Sequence, residues 1–233
     1  MKGNYVLLGI ELDAIREFLQ HVDREAGAEI QSVLARNDSG EFEGVDDFEN
    51  ALYGPMMRQE IAARAVYYEL NALIERELQH SAHRPWLESA KHPGSKSLDW
   101  NRLTVDSVRS LKMIEDLPYR EVVKLVEDAY DIRIRDLDSG NAVLKMREVV
   151  NAFKHRDGLV DFRKQEPRDI NFVERHKADV EQAYAAIDKA RAFIKALWKV
   201  TDRAPSVPSG EATAQCYSVF QRRGRDEPSG GGG

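Results

Sequence analysis

The sequence predicts an all-α protein, a helical bundle of about five to six helices. Apolar residues recur at steps of three and four along most of the chain, which is the spacing of one face of an α-helix. No segment shows the apolar–polar alternation and the density of β-branched residues that are typical of a sheet. Prolines, glycines and Asp/Asn/Ser clusters separate the periodic segments and mark the predicted helix ends.

The first predicted helix has the clearest apolar stripe, and the Asn-Asp-Ser-Gly run at 37–40 ends it. The stripe consists of Leu8, Leu12, Ile15, Leu19, Val22, Ala26, Ile30 and Val33. An acidic loop is expected over residues 37–54. Pro55 fits the first turn of the second helix, because proline lacks an N–H that would have no partner there. We expect that helix to end near His80 and a long loop, rich in proline and glycine, to cover residues 81–103.

Three further helices are predicted in the next part of the chain. The third starts at about Thr104 and ends near Leu117. The fourth begins at Pro118 and buries four residues, Val122, Leu125, Val126 and Ala129. Residues 132–137 are ambiguous, since Ile132, Ile134 and Leu137 also suit a short extended piece. The fifth helix buries Val143, Met146, Val150 and Phe153, and Gly158 lies just past its end, where a left-handed residue is common.

The last predicted helix runs from about Asn171 to Val200. Its apolar stripe consists of Val180, Tyr184, Ile187, Ala190, Ile194 and Leu197. Residues 1–203 are therefore expected to form a single helical-bundle domain. Residues 204–233 are expected to be a flexible tail, because they contain three prolines and end in a run of glycines.

Composition restricts the class of protein. The chain has 233 residues, of which 42% are hydrophobic and 32% charged, as in a globular protein with a well-solvated surface. A single cysteine, Cys216, excludes an internal disulfide and a multi-cysteine zinc site, and it favours a cytoplasmic location. No run of 18 apolar residues is present, so we expect no membrane span. The net charge of −6 argues against a whole surface that binds nucleic acid, but not against a local basic patch.

The fifth predicted helix carries the most informative polar residues. Arg147, Asn151 and His155 are spaced i, i+4, i+8, so they form one row beside the apolar face. Between residues 145 and 168 there are seven Lys/Arg and four Asp/Glu, a local charge of +3 that suits a phosphate. Lys145, Lys154 and Arg156 are therefore candidate phosphate-binding residues.

This stretch resembles the signature of the HEPN superfamily, small helical-bundle proteins of prokaryotic toxin–antitoxin and antiviral defence systems. The signature is an Arg, often followed by Asn or another polar residue, then four to six residues and a His. It lies near the start of a late helix and is often followed by a glycine. The run Asn-Ala-Phe-Lys-His at 151–155, followed by Gly158, is similar in kind. The likeness in layout covers about residues 55–200. The spacing departs from the pattern, because seven residues separate Arg147 from His155.

The resemblance implies a metal-independent ribonuclease that acts as a homodimer, with a motif from each copy at a shared cleft. His155 would then be the acid or base, because imidazole titrates near neutral pH. Arg147 would hold the scissile phosphate through its planar guanidinium, and Asn151 would orient that phosphate or His155. RNA and a cognate antitoxin or other defence-system protein are the implied partners, and no cofactor is implied.

Two alternatives remain open from the sequence. A row of Arg, Asn and His beside a buried face also forms hydrogen-bond networks between a helix and the following loop, with no catalytic role. The whole chain would then be a non-catalytic helical module that binds a protein partner. Neither reading needs a metal: His80 and His83 are three residues apart, but the pattern fixes no third ligand.

Overall fold

The computed structural model describes residues 2–89, 114–156, 158 and 178–202, with side chains for 6–84, 114–155, 158 and 178–202. Within these residues every regular element is helical, so the prediction of an all-α bundle is confirmed. The elements are α1 (Lys2–Asp38), α2 (Val45–Ser89), α3 (Tyr119–Tyr130), a short 3₁₀ helix (Ile134–Asp136), α4 (Gly140–Arg156) and α5 (Val180–Thr201).

The chain divides into two compact units. One comprises Met1–Ile74 with Asp138–Ile194, and the other comprises Glu75–Leu137 with Lys195–Gly233. Both α2 and α5 continue from one unit into the other. The predicted boundary between a domain ending at 203 and a tail over 204–233 falls outside the described residues and stays a prediction.

Helix α1 has the predicted stripe and the predicted end. Five of the stripe positions are buried, Leu8, Leu12, Leu19, Ala26 and Val33. Gly40, with φ of 77°, has the left-handed conformation that favours glycine, and its N–H bonds to the Asn37 carbonyl at 2.9 Å. The turn that ends α1 therefore follows from the local sequence.

The predicted acidic loop over 37–54 is too long, because α2 begins at Val45. Asp46 and Asp47 occupy its first turn, where carboxylates interact favourably with the positive end of the helix dipole. Pro55 consequently lies inside the helix and is buried, and its ring nitrogen cannot donate a hydrogen bond to the carbonyl of Ala51. The acidic residues that suggested a loop are therefore part of the helix start.

The C-terminal end of α2 also differs from the prediction. The helix continues past His80 to Ser89, so residues 81–89 of the predicted loop over 81–103 are helical. Pro85 lies within this helical segment and did not end it. Residues 90–103, and residues 104–113 of the third predicted helix, lie outside the described residues. The end of that helix near Leu117 agrees with the helical assignment of Ile114 and Glu115.

Helix α3 matches its prediction closely. Pro118 precedes its first residue, and the four buried positions are Val122, Leu125, Val126 and Ala129. The ambiguous segment after it contains a single 3₁₀ turn rather than a strand, with Ile134 buried. The Glu127 carboxylate accepts a hydrogen bond from the Ile134 backbone N–H at 2.8 Å, which attaches this turn to α3.

Helix α5 begins later than predicted. Residues 171–177 lie outside the described residues, but Ala178 and Asp179 are not helical, so the predicted start near Asn171 is wrong. The Asp179 carboxylate accepts a hydrogen bond from the Gln182 backbone N–H at 2.6 Å, which is the geometry of an N-cap. The cap residue satisfies a donor of the first turn and thus sets where the helix starts.

In the first unit, α5 lies antiparallel to α1. Arg16 forms an ion pair with Asp188, and Asp13 forms one with Arg191. The earlier residue of α1 pairs with the later residue of α5, so the two helices run in opposite directions. The α1–α2 pair is joined by Gln59, whose amide donates to the Asp23 carboxylate at 2.8 Å. Apolar side chains of α1, α2, α4 and α5 form the buried core of this unit.

Candidate functional site

Helix α4 carries the three residues of the predicted row. Arg147 and Asn151 are half-buried, and His155 is exposed. Each lies about one turn after the one before, beside the buried positions Val143 and Val150. The row therefore runs from the edge of the core to the surface at the C-terminal end of α4.

Gly158 closes that end of the helix, as the sequence predicts. It is buried, its φ is 79°, and its N–H donates to the Ala152 carbonyl at 3.0 Å. A residue with a side chain is strained at this φ, so glycine is required here. The closure places His155 in the last turn of α4, where a cation interacts favourably with the helix dipole.

Two cation–π contacts hold the last turn of α4 against α2. The Arg64 guanidinium carbon lies 5.7 Å from the centroid of the Phe153 ring, and the Lys154 Nζ lies 5.6 Å from the centroid of Tyr68. Contacts of this type at exposed sites contribute about 0.5–1 kcal/mol each. Lys154 follows Arg147 by two helical turns, so its positive charge lies on the same side of α4 as the row.

Lys145, the third predicted phosphate ligand, lies elsewhere on α4. It precedes Arg147 by two residues, which corresponds to about 200° around the helix. There it lines a cleft of about 370 Å³ together with Tyr67 of α2 and Lys189 of α5. The structure thus groups Lys154 with the row and separates Lys145 from it. The side chain of Arg156 lies outside the described residues.

The cleft beside Lys145 was not predicted from the sequence. Met146 is among the residues that line it, and its polar groups come from three different helices, α2, α4 and α5. Burial, together with the charge of the Asp179 carboxylate, raises the pKa of Tyr67 above its usual value, so this phenol remains a neutral donor at neutral pH. Lys145 and Lys189 are separated widely in sequence, and no local pattern indicates that they share a surface.

A second polar cluster, in the other unit, surrounds Glu77 of α2. Glu77 is charged and lies among other charged residues of α2, a pattern typical of a solvated helix face, yet it is only 6% exposed. Its carboxylate accepts a hydrogen bond from the indole N–H of Trp198 at 3.0 Å and lies 3.3 Å from the Arg76 Nε. The His80 Nδ1 lies 4.0 Å from the same carboxylate.

The surroundings of Glu77 are a network of polar groups. The Ser81 hydroxyl donates to the Glu77 carbonyl at 2.9 Å, and the Tyr130 hydroxyl donates to the Ser81 carbonyl at 3.1 Å. Arg84 donates to the carbonyl of Thr201 at the end of α5. These contacts connect α2, α3 and α5 within this unit. Such a network of satisfied buried groups accounts for Glu77 as a structural residue.

Replacing Glu77 with alanine is expected to lower the free energy of unfolding by about 1–3 kcal/mol, because the Trp198 indole N–H then loses its buried acceptor. Replacing Glu77 with glutamine keeps an acceptor oxygen and is expected to recover most of that loss. Urea unfolding followed by circular dichroism measures both. Glu69→Ala, on an exposed position of α2, is the control and should change stability by less than about 0.5 kcal/mol. Equal effects of the two alanine variants would argue against the role given to Glu77.

Comparison with known proteins finds no matching family model, no similar curated protein and no similar solved structure. Among the described helices, none has the length and apolar character needed to cross a membrane. Within the part of the chain that the structure describes, no group of three or more His, Cys, Asp or Glu side chains is placed to hold a metal ion.

Proposed function

We propose that this chain is a HEPN-like RNA-cleaving or RNA-binding protein of a toxin-type or defence system, and that it acts without a metal ion. One observation supports the proposal most directly: His155 is exposed in the last turn of α4, in one row with Asn151 and Arg147. An exposed imidazole can reach a substrate, whereas a histidine buried against a neighbouring helix serves packing. Lys154 adds a positive charge on the same side of the helix.

These residue types suit cleavage of a phosphodiester by the neighbouring ribose hydroxyl. His155 takes the proton of the 2′-hydroxyl, the 2′ oxygen bonds to phosphorus, and the bond from phosphorus to the 5′ oxygen breaks. A protonated imidazole returns a proton to the leaving oxygen, so the products carry a 2′,3′-cyclic phosphate and a 5′-hydroxyl. Arg147 stabilises the charge on the phosphate oxygens, and Asn151 orients the phosphate or the imidazole.

The reaction needs a group that accepts a proton and a group that donates one, and the row provides a single histidine. A second copy of the chain, related by a two-fold axis, supplies the other imidazole and doubles the positive charge. The proposal therefore includes a homodimer through the face that contains α4. Lys145 and Arg156 then contact phosphates away from the scissile bond.

The test combines an activity and a size measurement on the purified full-length chain. Total RNA incubated with the protein in EDTA is expected to yield fragments with cyclic phosphate ends, and light scattering at micromolar concentration is expected to report a dimer. Fragments that disappear in EDTA would contradict metal-independent chemistry. RNA cleavage by a protein that light scattering shows to be a monomer would contradict the site shared between two copies, but it would support the proposed activity.

The alternative function, a non-catalytic helical module that binds a protein partner, is favoured by a separate observation. Four large apolar side chains in the first half of α1 are 48–62% exposed, Val6, Leu7, Ile10 and Phe18. Apolar residues clustered on a surface are typical of protein-binding sites. Under this alternative, the purified chain leaves total RNA intact, and Ile10→Asp removes binding of the protein partner whereas His155→Ala does not. The proposed function predicts RNA cleavage that His155→Ala reduces and Ile10→Asp does not.

A further inference from the structure

The cleft of about 370 Å³ that Lys145 and Lys189 line contains no residue of the α4 row, and all its lining residues belong to the first unit. Asn141, Lys145 and Val149 are spaced i, i+4, i+8 on α4, so they lie on one side of that helix. Gln182 and Lys189 lie two turns apart on α5 and line the same cleft. Binding sites for small molecules have volumes of about 300–1,000 Å³, so this cleft is large enough for a small ligand.

The charge of the cleft is positive. Among its described lining residues only Lys145 and Lys189 are charged, and neither forms an ion pair with another residue that the structure describes. The two ammonium groups come from different helices and repel each other, and an anion bound at both of them reverses the sign of this interaction. The cleft therefore fits a ligand with two negative charges.

Tyr67 of α2 is the most deeply buried of the described polar residues that line the cleft. It is only 8% exposed, and its hydroxyl forms no hydrogen bond with another described residue. Burial and the charge of Asp179 raise the pKa of Tyr67, so the phenol stays protonated at neutral pH. The Asp179 carboxylate accepts a hydrogen bond from the Gln182 backbone N–H at 2.6 Å. Because buried polar groups in proteins almost always have a hydrogen-bond partner, the Tyr67 hydroxyl is a donor for a group bound in the cleft.

The apolar residues that line the cleft are mostly small. Ala142, Ala185 and Ala186 present methyl groups, and Met146 and Val149 add larger apolar surface. A ligand with a flat apolar part gains free energy when it covers this surface and removes it from water. The cleft thus combines two cations, one phenol donor and an apolar wall.

A phosphate monoester has the charge that this combination requires. At neutral pH it carries about two negative charges on one group, which balances Lys145 and Lys189. A carboxylate and a phosphate diester each carry a single charge, so either would leave one ammonium without compensation. The phosphate oxygens also accept hydrogen bonds from both ammonium groups and from Tyr67, and such charge-assisted bonds are the strong ones.

We propose that this cleft binds a small organic phosphate monoester. The phosphate contacts Lys145, Lys189 and the Tyr67 hydroxyl, and the flat apolar body of the ligand covers Met146 and Ala186. Only Lys145 is common to the cleft and to the proposed RNA contacts. Lys189→Gln is therefore expected to weaken binding of the phosphate ester without changing the rate of RNA cleavage, so this inference and the proposed function can fail separately.

Phenyl phosphate is the probe, because it joins a phosphate monoester to one flat apolar ring. The full-length chain, labelled with ¹³C at its methionine methyl groups, is titrated with phenyl phosphate in a buffer without phosphate and followed by NMR. The Met146 signal, assigned from Met146→Leu, is expected to shift with a dissociation constant of about 0.1–2 mM, as for a ligand of this size. The signals of Met56 and Met57, which do not line the cleft, should stay in place.

Two simpler ligands separate the contributions of charge and ring. Inorganic phosphate keeps the charge but lacks the ring, whereas benzoate keeps the ring and carries one charge. Each is expected to bind at least about fivefold more weakly than phenyl phosphate, because each lacks one set of contacts.

Variants of the lining residues test the position of the ligand. Lys145→Gln and Lys189→Gln are each expected to raise the dissociation constant about fivefold, the upper value for an exposed ion pair. Tyr67→Phe removes only the hydroxyl and should raise it about three- to fivefold. Ala185→Leu places a larger side chain at an exposed position of the cleft and should prevent binding. The matched control is Lys195→Gln, at another exposed lysine of α5 that does not line the cleft, and it should leave the dissociation constant unchanged.

A Met146 shift that the cleft variants weaken and the control does not would support the proposal, with circular dichroism verifying that each variant remains helical. No shift at about 10 mM phenyl phosphate would overturn it, and so would binding that none of the cleft variants weakens. Inorganic phosphate that binds as tightly as phenyl phosphate would contradict the role of the apolar wall. A tripeptide with phosphotyrosine that binds more than about tenfold more tightly than phenyl phosphate would overturn the assignment to a free small molecule.

Discussion

Replacing His155 with alanine is expected to reduce the rate of RNA cleavage by about 10²–10⁴-fold, the usual contribution of a positioned acid or base. The change should leave the free energy of unfolding within about 0.5 kcal/mol, because the imidazole is exposed and the last turn of α4 is closed by Gly158 rather than by His155. Single-turnover cleavage and thermal unfolding of the same protein preparation measure both quantities.

The matched control is His21→Ala. His21 is also exposed, lies on α1, and has its Nε2 3.3 Å from the Glu25 carboxylate, so its removal changes a surface histidine without touching the α4 row. Its cleavage rate should equal that of the unmodified chain. If both histidine variants cleave RNA at the unmodified rate, the activity lies elsewhere. If only His155→Ala unfolds early, His155 has a structural role.

Arg147 extends this prediction to the phosphate. Arg147→Ala is expected to cost about 10²–10³-fold in rate, by analogy with the loss of one donor from a charge-stabilising site. Arg147→Lys keeps the charge but loses the planar pair of donors, so it should restore only part of the rate. Full restoration by lysine would show that charge alone matters and would argue against a bidentate contact with the phosphate.

Much of the fold was predictable because its signals are local. The stripe of α1 and the four buried positions of α3 follow from helical periodicity, which depends on residues within a few turns of one another. Gly40 and Gly158 mark helix ends because glycine adopts a positive φ at less cost than residues with a side chain. The row of Arg147, Asn151 and His155 shares one side of α4 for the same local reason.

The features that were missed depend on packing between distant segments. Glu77 is buried because Trp198, far away in sequence, supplies an N–H to its carboxylate. Lys145 shares a cleft with Lys189 only because α4 packs beside α5. The predicted start of α2 was wrong because two local preferences compete. Pro55 suits the first turn of a helix, but Asp46 and Asp47 also suit a first turn, and the helix begins at theirs.

The core of α5 gives the largest expected change in stability. The predicted stripe omits Phe193, which lies about 100° around the helix from Ile194, yet both side chains are 0% exposed. Helix α5 buries a wide arc because more than one helix packs on it, so one stripe underestimates its core. Phe193→Ala should lower the free energy of unfolding by about 3–5 kcal/mol, since it removes a large buried ring and leaves a cavity.

Phe18→Ala is the control for Phe193→Ala, because it removes the same ring from a position that is 48% exposed in the same unit. Its cost should be below about 1 kcal/mol, since surface substitutions away from the core change stability little. Urea unfolding of both variants and of the unmodified chain measures these costs, provided that the slope of the transition is the same in all three. Midpoints of both variants close to that of the unmodified chain would mean that Phe193 is not in the core of this unit. A Phe18 variant as unstable as predicted for Phe193 would mean that the exposed apolar residues of α1 are covered in solution, as the protein-binding alternative requires.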